Sequence, residues 1–109
     1  MLNDVELKRP ELAQICERYE VIRLGLFGSA ARGEDDPQKS DLDFLVFFDR
    51  RAEPDYLDRY LGLTESLEKL FGRSVDLVTE YSAHSPAFRA AIERDLVPLY
   101  ERTGDATAA

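Results

Sequence analysis

The stretch Leu24-Gly-Leu-Phe-Gly-Ser-Ala-Ala-Arg-Gly33, Glu34-Asp-Asp-Pro-Gln-Lys39, Ser40-Asp-Leu-Asp-Phe-Leu-Val-Phe-Phe48 sets the architecture of this chain. Val21 to Phe27 is a short apolar run, broken only by Arg23 and Gly25, and reads as a strand. Gly28-Ser29 stops it. A strand that ends in Gly-Ser and turns into a short helix points unpaired backbone N–H groups at whatever sits above it. Gly28 admits a ligand close to the backbone, and the Ser29 hydroxyl adds one hydrogen bond, so the turn suits a phosphate. Arg32, a turn later, adds a positive charge. After a polar loop around Asp36-Pro37, Asp41 to Phe48 reads as a second strand. Beyond its acidic start it is apolar on both faces, which predicts a central position in the sheet.

Asp41 and Asp43 are two apart on that strand, so both carboxylates project from one face. Adjacent carboxylates repel each other unless a cation neutralises them. Hard oxygen ligands of this kind suit Mg²⁺, which takes one or two carboxylates together with substrate phosphates.

On either side of this stretch the chain alternates helix and strand. Pro10 fits the first turn of a helix whose Leu12, Ile15, Cys16 and Tyr19 share one face. Pro54 and Asp55 open the longest helix. Its predicted inward stripe is Leu57, Tyr60, Leu61, Thr64, Leu67, Leu70 and Phe71, with Gly72 as its cap. Ser74 to Thr79 is a third strand, with Asp76 set among Val75, Leu77 and Val78. If this strand lies beside the second, Asp76 completes a three-carboxylate cluster able to hold two metal ions. The competing assignment is an ion pair with Arg73 or Arg23. Ser85-Pro86 is an N-cap and first-turn proline for a helix with Phe88, Ala91 and Ile92 on its face. Val97 to Tyr100 is a short last strand, placed at an edge because Pro98 cannot donate to a ladder.

The expected order is α-β-(turn)-β-α-β-α-β, an α/β (α+β) domain with a small mixed β-sheet packed against helices. It spans residues 1–102, and residues 103–109 form a small, polar, frayed tail. Phe44, Val46 and Phe48 face one side of the sheet, while Asp43, Leu45 and Phe47 face the other. The helices after the first two strands are expected to cover the first side. The other side needs the last helix, the N-terminal helix or a second chain.

Composition narrows the function. With 109 residues, 44% hydrophobic and 33% charged, the chain makes one globular domain and is not broadly disordered. No apolar run approaches a membrane span, and the start Met1-Leu2-Asn3-Asp4 lacks the pattern of a signal peptide. Cys16 is the sole cysteine, which excludes an internal disulfide and points to a reducing cytoplasm. A net charge of −8 repels phosphate, so direct binding of nucleic acid is not expected. An acidic chain can still handle nucleotides when metal ions stand between carboxylates and phosphates.

Gly28-Ser29-x-x-Arg32-Gly33, then Ser40-Asp41-x-Asp43, then Asp76 on a separate strand resembles the DNA polymerase β-like nucleotidyltransferase superfamily. The short chain is similar to its minimal nucleotidyltransferase (MNT) branch, which is usually encoded beside a HEPN-domain protein. The resemblance covers about residues 11 to 100 and implies the polymerase β-like fold. It also implies roles: Gly28, Ser29 and Arg32 on nucleotide phosphate, Asp41 and Asp43 on two Mg²⁺ ions, and Asp76 at the metals and the attacking hydroxyl. Eleven residues, Ala30 to Ser40, separate the Gly-Ser from the first Asp, one more than in many MNT proteins. The extra residue fits most easily in the polar loop.

By family precedent the activity would be transfer of AMP from ATP to a tyrosine of a HEPN ribonuclease toxin, making this chain an antitoxin that works in a hetero-complex. A second hypothesis is an antitoxin that neutralises the HEPN partner by binding alone. A third, nucleotidyl transfer to an antibiotic or other small molecule, is weaker, because such enzymes typically carry a second domain for the acceptor. Among other residues, Arg32 has a bland alternative in a pair with Glu34 or Asp35, and His84 reads as a surface residue. Cys16 reads as core. Tyr56, Tyr60 and Tyr81 read as packing rather than as modification sites.

Overall fold

Val21–Phe27 (β1) and Leu42–Phe48 (β2) pair antiparallel in a computed structural model, which describes residues 2–34, 36, 41–49, 55–79 and 85–102. Val75–Thr79 (β3) lies parallel to β2, and Val97–Glu101 (β4) antiparallel to β1. The mixed sheet therefore has the order β3-β2-β1-β4. The strand that is apolar on both faces is interior, and the strand containing Pro98 is at an edge, as the sequence pattern requires. His84, Tyr81, Pro54 and the expected tail lie outside the described residues.

Two helices precede the sheet. Leu2–Leu7 (α1) was not anticipated, and Arg9–Arg18 (α2) carries Pro10 in its first turn. Gly28–Arg32 (α3) follows β1 directly, Tyr56–Phe71 (α4) makes the crossover between the parallel strands, and Pro86–Asp95 (α5) links β3 to β4. The main core forms on the face of Phe44, Val46 and Phe48. There Val5 of α1, Leu12 and Cys16 of α2, Ala30 of α3 and Leu63 and Leu67 of α4 close over Leu24, Leu26 and Leu77. The opposite face carries a smaller cluster of Phe27, Leu45, Val78 and Ile92, with Phe47 and Leu96 packed against it. The cover expected for this side is thus α5, and Arg23 places its guanidinium over the Phe47 ring at 5.3 Å.

Tyr60, Leu67, Leu70 and Phe71 of the expected α4 stripe face the core, and its Leu57 and Leu61 do not. Leu57 and Leu61 point outward, 64% and 56% exposed, whereas Leu63 and Arg59, outside that stripe, are buried. Gly62 sits beside this difference. A Cβ there would run into the Tyr19 ring, so this glycine is the point where α2 and α4 approach closely, and Leu63 follows into the core. The difference is confined to the first half of α4, where hydrophobic spacing alone does not choose Leu63 over Leu57 and Leu61.

Both sheet edges are covered by side chains. On β3 the Val75 N–H donates to Glu68 Oε2 (3.1 Å), and the Tyr60 hydroxyl donates to the Leu77 carbonyl (2.7 Å). On β4 the Arg9 guanidinium, held by Glu6, donates to the carbonyls of Pro98 and Leu99, both at 3.1 Å. Edge groups paired in this way are poor templates for another strand. Tyr56 packs edge-on against Phe48 and stacks on Tyr60, so the packing assignment of these two tyrosines holds.

Candidate active site

The Gly-Ser turn and the first acidic strand meet at one end of the sheet. Phe27 and Asp43 are partners in the β1–β2 ladder, so the residue after Phe27 starts α3 beside the Asp43 side chain. Gly28 has φ 76°, and a Cβ at this position would collide with Asp43 Oδ2. Only glycine satisfies both the left-handed backbone and the close carboxylate. Phe27, the extended N-cap of α3, supplies no side-chain cap. Ser29, the second residue of α3, is half-buried beside this turn.

Asp43 and Asp76 are register neighbours on the parallel strands β2 and β3. In-register residues of a parallel pair share a face, and here it is the face of Leu45 and Val78. Burial pushes the half-buried Asp43 carboxyl above its ordinary range; the charges of Asp76 and Asp41 push it further, and Arg32 partly offsets them. Asp41 precedes β2 and is exposed, and Asp76 is exposed as well, not sunk in an apolar strand. Among the described residues, no group of three or more His, Cys, Asp or Glu side chains is gathered tightly enough to hold a metal ion by itself.

Arg32 carries two ion pairs, Nε to Glu34 Oε1 at 2.8 Å and Nη1 to Asp95 Oδ2 at 2.6 Å. The Glu34 pair is the bland alternative weighed from sequence. The Asp95 pair was not foreseen, and it ties α3 to the end of α5. Asp95 is 10% exposed in its side chain, whereas the Arg32 side chain is 44% exposed. Its signal in the sequence is faint but physical: an acid as the last residue of a helix opposes the helix dipole and is favoured beside cations, here Arg94 at 3.6 Å as well as Arg32.

A family model described as a nucleotidyltransferase domain matches residues 10–99. The chain is 41% identical over 92 residues to the provisionally named protein adenylyltransferase MJ1379 of Methanocaldococcus jannaschii, covering 84% of this chain and 90% of that protein. A minimal nucleotidyltransferase of known structure superposes with a TM-score of 0.74 at 36% identity, over 90% of this chain and 95% of that one. The fold is shared, with a TM-score of 0.58 and 18% identity, by a chain from a complex of tri-AMPylated Shewanella oneidensis HEPN toxin with MNT antitoxin. That match covers 95% of this chain and 78% of the other. This chain belongs to the nucleotidyltransferase domain family, in its minimal form.

Proposed function

We propose that this chain transfers AMP from ATP to a hydroxyl, that of a tyrosine, on a HEPN-type toxin and thereby acts as its antitoxin. The observation that carries the reading is the Asp43 carboxylate seated against the Gly28 turn with Asp76 beside it in register. Likeness to MJ1379 supports the adenylyl donor, and likeness to the fold found with an AMPylated HEPN toxin supports the class of partner.

The acids present fit a divalent cation. The charges of Asp41 and Asp76 disfavour ionisation of Asp43, and a cation among them would relieve that repulsion. A nucleotide-borne Mg²⁺ needs only one or two carboxylates, since phosphate oxygens and water complete its shell, so a closed three-acid cage is not required. Asp41, Asp43 and Asp76 are the residues that would hold it. When bound, such an ion neutralises phosphate charge and lowers the pKa of the attacking oxygen.

The chain's own groups divide the remaining work. The Gly28–Ser29 backbone and the Ser29 hydroxyl hold phosphate oxygens, and Arg32 adds positive charge at the flank. Asp76, exposed to an incoming acceptor, takes the proton of its hydroxyl. That oxygen bonds to the α-phosphorus in line as the bond to the bridging α–β oxygen breaks, and pyrophosphate departs.

Incubation with ATP, Mg²⁺ and a cognate HEPN-type protein tests the proposal. The partner's intact mass should rise by one or more AMP units with the wild type and not with Asp41→Asn/Asp43→Asn. Equal toxin neutralisation by both proteins, without any mass change, would replace the enzymatic reading by neutralisation through binding alone.

A further inference from the structure

We propose that Phe88 is the platform on which the base of the bound nucleotide stacks; the inference rests on the nucleotidyl-transfer reading and adds to it the place of the base. Phe88 lies in the first turn of α5, on the helical stripe that continues through Ile92 and Leu96. Ile92 is buried and Leu96 packs against the same cluster, whereas Phe88 remains 40% exposed, the one aromatic among the large exposed hydrophobics of the described residues. Its ring meets Phe27 at 6.3 Å between centroids and 76° between planes. An edge-to-face contact of this kind occupies at most one face of the Phe88 ring, and the residue keeps 40% of its surface for a further contact.

Phe27 fixes where this open ring stands. It immediately precedes Gly28, is the ladder partner of Asp43, and belongs to the cluster on the Asp43 side of the sheet. Phe88 is thus one ring contact away from the turn proposed to hold phosphate. The sheet order separates the two flanks of Asp43. β3, with exposed Asp76, lies on one side, and β1, with Phe27 and Gly28, on the other. The acceptor hydroxyl belongs to the Asp76 flank, which leaves the Phe88 flank to the nucleotide. A bare aromatic face binds any base by stacking and selects none by hydrogen bonding.

The chain contains no tryptophan, so Phe88→Trp installs a single fluorescent reporter on the proposed platform. With Mg²⁺ present, ATP should quench and shift its emission, and inorganic tripolyphosphate should not. By calorimetry, Phe88→Ala and Phe88→Leu should both weaken ATP binding about tenfold, the scale of one base–aromatic stack, and leave tripolyphosphate affinity unchanged. Leucine keeps an apolar contact with Phe27, so Phe88→Leu carries the test if the alanine variant does not fold. ATP affinity equal to wild type in Phe88→Leu overturns the platform alone. So does tryptophan emission that ATP leaves unquenched in a Phe88→Trp protein shown by calorimetry to bind ATP. A raised KM for the protein acceptor with unchanged ATP affinity would likewise overturn it and give the ring to the acceptor. A wild-type protein that binds neither ATP nor tripolyphosphate would remove the nucleotidyl-transfer reading itself.

Discussion

Gly28 and Gly33 bracket α3 at nearly the same backbone angle, φ 76° and 74°, but their surroundings differ completely. A Cβ at Gly33 meets nothing within 4 Å, whereas one at Gly28 collides with Asp43 Oδ2. Alanine at either position suffers the left-handed strain of about 1–2 kcal/mol. Loss of unfolded-state freedom offsets about 0.4–1 kcal/mol of it. Gly33→Ala should therefore cost about 1 kcal/mol. Gly28→Ala should cost that much plus the displacement of a carboxylate from its packed position, about 1–3 kcal/mol more by analogy with overpacking. Urea unfolding of both variants at neutral pH measures the difference, and Asp43→Ala supplies the control. With the carboxylate gone, Gly28→Ala should cost no more than Gly33→Ala, so the cycle reports the coupling directly. Binding of ATP with Mg²⁺ should fall in Gly28→Ala and persist in Gly33→Ala. Equal stability losses at the two glycines, unaffected by removal of Asp43, would refute the claimed contact between turn and acid.

The phase of α4 is tested by Leu63→Ala, which empties a fully buried site and should cost about 2–5 kcal/mol, against Leu61→Ala, which should stay within about 0.5 kcal/mol; denaturation midpoints distinguish them. Burial pushes the Cys16 thiol up to about 12, whereas in the unfolded chain it ionises near its ordinary 9.0. The unfolded state then binds fewer protons between these values, so this group makes stability fall as pH rises from about 9 toward about 12. At a mildly alkaline pH the native thiol should react with a disulfide reagent only at the rate of unfolding. Asp95→Asn removes one of the two acids that hold Arg32 and should weaken ATP binding a few-fold, with no further loss when added to Arg32→Ala; additive losses in calorimetry would show that Asp95 acts independently of Arg32.

Much of the architecture was legible because single residues carry strong local physics. Pro98 confines its strand to an edge, a strand apolar on both faces must be interior, and Gly72 closes α4 with its N–H on the Glu68 carbonyl. The common face of Asp43 and Asp76 needed one assumption beyond the pattern, that β3 lies beside β2, and the parallel register supplies it. What escaped notice depends on contacts between distant elements. The burial of Leu63 in place of Leu57 and Leu61 goes with Gly62 meeting the Tyr19 ring at α2's C-terminal end, far away in the chain. Ser66, one turn further along α4, joins the same contact by donating its hydroxyl to the Tyr19 oxygen at 3.3 Å. Asp95 is 63 residues from Arg32, and no local pattern joins them.

The acids at the site are held by backbone register more than by packing around their own side chains. Asp43 sits between Leu42 and Phe44, and Asp76 next to Leu77; Leu42, Phe44 and Leu77 are all buried in the main core on the opposite face. The carboxylates themselves project from the thinner side, where one is half-buried and the other exposed. Burial, and then the like charges of Asp76 and Asp41, make Asp43 unfavourable to ionise, so its placement costs stability and persists because the core behind it fixes the strand. Chemistry and scaffold are thereby divided between alternate residues of the same two strands. The site acids can be neutralised by Asp→Asn without touching the residues that hold the sheet together, which is the condition that makes such variants a test of activity and not of folding.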